Sequence, residues 1–333
     1  MKIRGIRFSP IAQASGVTNF FGEGYWFHRF LRLMGISLAG SMFTSKTSTL
    51  LSRAGNMPLK SDSVTPKELF PHCIIVDHIR ELALNAVSLS GPGLEFLLNT
   101  GRWQKRTDNF FISLMSLAKT PTDRLGEATE MFSMVSHRKN EFRGRFGIQY
   151  NLSCPNGGLD PLVMVGEAIP ILEKADLMLT PDIPFLFKFG PDLHPIAARR
   201  ITAHRRCDGL VVFNTLPFGT HPVWAERTPP VDWKKLFGTD NPKESPMAKR
   251  FPGFPGGLSG APLLPFLLEW IDIIRERDVT DKHIQAGGGL LSIDDIKAVR
   301  RAGADSVSIG SASFLKPLRV GKLVRYVLDQ SWG

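Results

Sequence analysis

Arg145-Phe146-Gly147-Ile148-Gln149-Tyr150-Asn151-Leu152-Ser153-Cys154-Pro155-Asn156 is the stretch on which the reading of this chain turns. Residues 145–150 alternate between apolar and polar, the period of a buried strand. The strand runs into a tight turn that gathers two amides, Asn151 and Asn156, around one thiol, Cys154. A helix-like stretch follows at about 161–178, so strand, turn and helix make one βα unit. An amide–thiol–amide cluster can hold a small planar polar molecule by hydrogen bonds and set a base against it.

Working outward, the same alternation recurs eight times. Strand-like runs fall near Ile11–Ser15, Ser37–Phe43, Asn109–Leu114, Gly147–Asn151, Phe185–Phe189, Gly209–Asn214, His283–Ala286 and Ser306–Ile309. Helix-like stretches are read at about 19–34, 92–101, 122–137, 161–178, 194–206, 262–277, 292–302 and 317–330. Strands alternating with helices at this spacing predict a parallel sheet with crossover helices. Eight units predict an α/β fold of the (β/α)8 TIM-barrel type, one domain over 1–333, with an open doubly wound sheet as the alternative. Two proline-rich βα loops, 52–80 and 215–258, are oversized and lie on the face where such barrels carry their sites.

Composition narrows the function classes. The chain is 43% hydrophobic and 22% charged, with 41 Lys+Arg against 31 Asp+Glu, a net charge of +10. The basic residues are scattered in short pairs such as Arg199-Arg200 and Arg205-Arg206, which read as solvated helix faces, so no nucleic-acid partner is expected. The positive field favours anionic small molecules. Cys73, Cys154 and Cys207 are odd in number and irregular in spacing, which speaks against disulfides and against a metal site, and for a reducing cytoplasm. No signal-peptide core and no apolar run of membrane-spanning length occurs. The aromatic-rich segment 18–35 is expected to pack in the core or an interface rather than on a membrane.

Two ends of a site are visible. At the seventh and eighth strands, Ile284-Gln285-Ala286-Gly287-Gly288-Gly289 and Val307-Ser308-Ile309-Gly310-Ser311 run into glycines, and Gly256-Gly257 approaches the same face. Glycine turns beside a helix start suit a phosphate group. At the other end stand Ala14-Ser15-Gly16, Lys46-Thr47, Asn85, Lys188 and Asn214-Thr215. A lysine inside the apolar run Phe185–Phe189 is costly unless it is paired or faces a site. Asn85, Asn151, Asn156 and Asn214 together suit a ligand with alternating N–H and C=O groups, such as a pyrimidine.

These motifs, in this order, resemble the cytosolic class 1 dihydroorotate dehydrogenases, from Ala14-Ser15-Gly16-Val17 through Thr44–Leu50, Gly55-Asn56, Asn85–Leu89 and Asn151–Asn156 to Gly310-Ser311. The resemblance implies a barrel that binds FMN and oxidises dihydroorotate to orotate. It implies that Gly256, Gly257, Gly288, Gly289, Gly310 and Ser311 hold the FMN phosphate. Ala14, Ser15, Gly16, Lys46, Thr47, Asn151 and Lys188 would contact flavin and ribityl chain. Lys46, Asn85, Asn151, Asn156, Asn214 and Thr215 would bind substrate, and Cys154 would be the base at C5 while C6 delivers hydride to flavin N5. A homodimer, and an electron-transfer partner subunit or fumarate as acceptor, are further implications. The chain departs from the family at Ser88, where glycine is usual, in a shortened segment after Asn156, and in the two long loops. A neutral dihydropyrimidine as substrate, or a flavin-binding barrel without catalysis, are the alternatives.

Overall fold

All five residues of Phe185–Phe189 are buried, which a strand achieves when both its faces are covered. Phe185, Phe187 and Phe189 join the outer core under the helices, whereas Leu186 joins a separate inner cluster. The computed structural model of the chain describes residues 1–33, 37–152, 165–330 and 332.

In chain order the strands are β1 (Lys2–Ile3), β2 (Ile6–Arg7), β3 (Ile11–Gln13), β4 (Ile74–Asp77), β5 (Leu82–Asn85), β6 (Phe110–Leu114) and β7 (Phe146–Asn151). They continue with β8 (Phe185–Phe189), β9 (Gly209–Val212), β10 (Leu216–Pro217), β11 (Gly257–Gly260), β12 (His283–Gly287) and β13 (Ser306–Ile309). Seven form one parallel sheet in the order β3-β13-β12-β9-β8-β7-β6. Residues 42–44 join its two edges through parallel bridges Ala12–Met42 and Thr44–Phe111. Met42 N–H donates to Ile11 O at 2.7 Å, and Phe111 N–H to Phe43 O at 3.1 Å. The expected second strand is thus reduced to bridges, yet it closes the sheet on itself. The fold is a (β/α)8 barrel-like curl, not an open doubly wound sheet.

The barrel interior is layered. At its N-terminal end, the hairpin β1–β2 sends Ile3 and Ile6, with Phe8, against Ala12, Met42, Phe111, Leu186 and Val211. This apolar plug fills the bottom of the barrel. One step further along the strands the inner residues turn polar: Ser113, Gln149, Gln285 and Ser308, then Asn151 and Lys188, all buried.

Over the open end lies a second sheet that sequence periodicity did not anticipate. It is antiparallel, in the order β10-β11-β5-β4. Leu82, Leu84, Leu216, Phe218, Trp233 and Leu258 give it a core of its own. The two long loops are therefore not plain loops. One supplies β4, and the other supplies β10, the start of β11 and the short helices Trp233–Phe237 and Pro246–Arg250. Glu269, on the helix Leu264–Glu276, ties the second one down. Its carboxylate accepts the backbone N–H groups of Glu226, Arg227 and Thr228 at 2.8–2.9 Å.

Two further expectations are corrected. The first helix begins at Trp26 rather than 19, because Asn19, Gly22 and Gly24 adopt positive φ, which breaks a right-handed helix. Phe20 and Phe21 pack in the core as expected, but Trp26, Phe30 and Leu33 are exposed by 44%, 61% and 87%. Arg206 does not sit on a solvated face. It is buried, and its guanidinium donates to Ile183 O at 2.9 Å.

Candidate functional site

The polar upper layer of the barrel and the overlying sheet enclose a cavity of about 1120 Å³. That exceeds the usual range for a single small ligand, roughly 300–1,000 Å³. Its walls come from strand ends, because side chains alternate across a strand and only every second one faces inward. Asn151 and Lys188 are paired in register at the ends of β7 and β8 and both line the cavity. Ala14, Ser15 and Gly16 line it beyond β3, Asn214 and Thr215 beyond β9, and Lys46 and Thr47 beyond the bridging segment. Asn85 also lines it, but from the overlying sheet: it ends an antiparallel strand, not a barrel strand, and faces Gly257 there. Cys154 and Asn156 lie outside the described residues.

Lys46 is the most unusual group in the site. It is 5% exposed, and its Nζ has no hydrogen-bond partner among the described residues. The ammonium lies 4.9 Å from the centroid of the Phe20 ring, a weak cation–π substitute for an oxygen ligand. Burial lowers its pKa to about 7, against which the nearby Cys73 and Glu23 pull only weakly. A buried cation of this kind calls for an anionic or carbonyl-bearing ligand. Beside it, Thr47 Oγ1 contacts Ser15 Oγ and Ser113 Oγ, both at 2.9 Å, and Ser15 Oγ donates to Ser45 O at 2.9 Å. This run of hydroxyls fixes the wall between the first and third barrel strands.

At the far side Gly287, Gly288, Ser308, Gly310 and Ser311 line the cavity. The backbone N–H groups of Gly288, Gly310 and Ser311 donate to no other main-chain group among the described residues. Gly288 is at φ +115°, a region that side chains rarely adopt. Such a group of N–H donors on one wall is a ready anion cradle. Gly256, Gly257 and Gly289 are outside the lining. The first two belong to the approach to β11 and to β11 itself, so they shape the roof rather than the wall.

Several lining residues were missed by sequence reasoning: Gln149, Phe213, Ser308, and an outer rim built from Tyr25, Trp26, Phe27, Phe30, Leu69 and Phe70. Gln149 had a signal, since it shares the inner face of β7 with Asn151 two residues on. The rim had none, because it joins residues 25–30 to residues 69 and 70, which no local periodicity connects. Trp26 Nε1 donates to Leu69 O at 2.7 Å, and its ring meets Phe70 edge-on at 5.3 Å between centroids. Tyr25 OH donates to Gly16 O at 2.8 Å, tying the rim to the inner site. The remaining cysteines are structural. Burial pushes the Cys73 thiol up to about 11 and the Cys207 thiol to about 12.

No family model matches the chain. It is 26% identical over 321 residues to the catalytic subunit of dihydroorotate dehydrogenase B (NAD(+)) from Cutibacterium acnes, covering 95% of this chain and 87% of that one. It is 27% identical over 334 residues to a putative dihydroorotate dehydrogenase A (fumarate) from Aquifex aeolicus, covering 97% and 90%. Among solved structures, ligand-free DHODH from Eimeria tenella superposes with a TM-score of 0.66 at 18% identity, over 98% of this chain and 86% of that one. That likeness speaks for the fold. Among the described residues no helix is long and apolar enough to cross a membrane.

Proposed function

We propose that this chain, a relative of the dihydroorotate dehydrogenases along nearly its whole length, binds FMN and oxidises dihydroorotate to orotate for pyrimidine synthesis. The donor set fits the cofactor. The N–H groups of Gly288, Gly310 and Ser311 suit its phosphate, and Lys46, a buried ammonium with no hydrogen-bond partner among the described residues, suits the carbonyl edge of its ring. Ala14, Ser15, Gly16, Thr47, Asn151 and Lys188 complete its walls, with Gly256, Gly257 and Gly289 supporting them from behind.

Bound FMN would supply the two-electron acceptor for the hydride leaving C6. The chain's own residues do the rest. Asn85, Asn151, Asn156, Asn214 and Thr215 hold the pyrimidine by amide and hydroxyl hydrogen bonds, which fixes which ring edge faces the flavin. Cys154 removes the C5 proton. A thiol ordinarily near pKa 8.5 is a far better base at neutral pH than an alcohol. Lys46 and Lys188 line the inner cavity, and a net charge of +10 draws in an anion. This favours dihydroorotate, which carries a carboxylate, over an uncharged dihydropyrimidine.

The observation that carries the reading is the convergence of Asn85, Asn151 and Asn214 with buried Lys46 on one cavity. The test is anaerobic. The purified protein is expected to be yellow, and its oxidised flavin band should bleach on adding dihydroorotate. A flavin that bleaches with dihydrouracil instead would move the substrate to the neutral class. One that no dihydropyrimidine reduces would leave a flavin-binding barrel without this activity.

A further inference from the structure

Gln149 is the inner residue of β7 one layer deeper than Asn151, in register with Ser113 on β6 and Leu186 on β8. It is 3% exposed and lines the floor of the cavity. Leu186 beside it belongs to the apolar plug, so Gln149 is set at the boundary where the barrel interior changes from hydrocarbon to polar. Its Nε2 is buried and has no hydrogen-bond partner among the described residues. Of its two register neighbours, Leu186 carries no side-chain acceptor, and the Ser113 hydroxyl contacts Thr47 Oγ1 at 2.9 Å. A buried amide N–H left unmade is strongly unfavourable, so this position calls for an acceptor from something seated in the cavity.

We infer that the Gln149 carboxamide is a contact to the flavin ring, with Nε2 donating to a carbonyl or ring-nitrogen acceptor on its polar edge. The inference rests on the FMN reading above. Depth selects the flavin over the substrate: the amides that suit the pyrimidine are at the strand ends and in the roof, whereas Gln149 is below them. Reduction adds electron density to that edge of the ring. A donor placed there binds the reduced form more tightly than the oxidised form and raises the reduction potential. Gln149 is thus a tuning residue that need not touch the substrate.

The test compares the wild type with Gln149→Met, which keeps length and volume but has no N–H, and with Gln149→Glu, which offers an acceptor. Three readouts are taken: FMN affinity from flavin fluorescence quenching, the midpoint potential, and the melting temperature of apoprotein. Gln149→Met is expected to melt higher as apoprotein, to bind FMN about tenfold more weakly, and to lower the preference for reduced over oxidised FMN about tenfold. For a two-electron couple that preference corresponds to about 30 mV. Gln149→Glu should lower the potential further and serves as the check should the Met variant fold poorly. Unchanged affinity and potential in both variants would overturn the contact while leaving FMN binding intact. A wild-type protein that takes up no FMN would overturn this inference together with the reading it rests on.

Discussion

The ammonium of Lys46 faces the ring of Phe20 at 4.9 Å, with no hydrogen-bond partner among the described residues. An unpartnered buried charge is tolerated in a folded protein when function needs it, and it leaves a signature in pH. The folded pKa is lowered to about 7 from an ordinary value of 10.5. Between those values the unfolded chain holds the proton and the folded one does not, so stability rises with pH across that window. Apoprotein is therefore expected to melt higher at pH 9 than at pH 7. Lys46→Met should melt higher than wild type at pH 7 and should lose most of that slope. Calorimetry across pH 6–9.5 checks the difference curve, and parallel curves would remove the special status of Lys46.

Ser88 lines the cavity at φ +56°, and Leu89 follows at +57°. A non-glycine residue in the left-handed region costs about 1–2 kcal/mol. This is the position at which the family resemblance leads one to expect glycine. Ser88→Gly is expected to stabilise the protein by about 0.5–1 kcal/mol, since the gain is partly offset by the greater freedom of glycine in the unfolded chain. Urea denaturation measures it; destabilisation would mean that the serine hydroxyl has a role of its own.

Gly260 ends β11 at φ +105°, and a Cβ there would come within 2.2 Å of Glu81 O. Gly260→Ala combines backbone strain with a clash against main chain that has nowhere to move. A loss of about 2–4 kcal/mol is expected. The cost should fall on the roof, so hydrogen exchange at residues 82–85 and 257–260 should speed up more than at β7 or β8.

Glu269 holds the segment 226–228 by three backbone N–H groups. Burial on its own would raise its pKa, but the hydrogen bonds from Thr228 and its neighbours outweigh it and leave the carboxyl below its ordinary range. The stabilisation is present above the ordinary glutamate pKa and is lost as pH falls through the folded value. Glu269→Ala is expected to release residues 215–258 to limited proteolysis at neutral pH. Wild type should show the same cleavage only in acid.

Cys154→Ala is expected to keep the flavin absorbance and to slow flavin reduction by dihydroorotate by about 10²–10⁴-fold, the range a general base contributes. Cys154→Ser should fall between. Stopped-flow absorbance without oxygen gives the rates, and a fully active alanine variant would assign proton removal elsewhere.

What could be read from the residues follows from where the information lies. β8 and β13 were bounded to the residue, because Phe185–Phe189 and Ser306–Ile309 are short runs buried on both faces and interrupted by turn residues. Lys188 and Asn151 were placed on the site for the same reason. The roof was not legible. β5 and β11 are four residues each, β11 begins and ends in glycine, and Asn85 meets Gly257 across 172 residues of chain. Periodicity carries no record of so distant a partner. The second barrel strand was overextended because Ser37–Ala39 are apolar enough to suggest pairing, whereas within Ser37–Phe43 only Met42 forms a bridge.

The roof also bears on how such barrels can be remodelled. Because β5 and β11 share one ladder, the two chain segments that carry them form a single transplantable cassette. Grafting either one alone from a relative would leave four unpaired residues facing a foreign edge. Exchanging both at once would carry ceiling, Asn85 and Ser259 over together, and with them the choice of what the cavity admits.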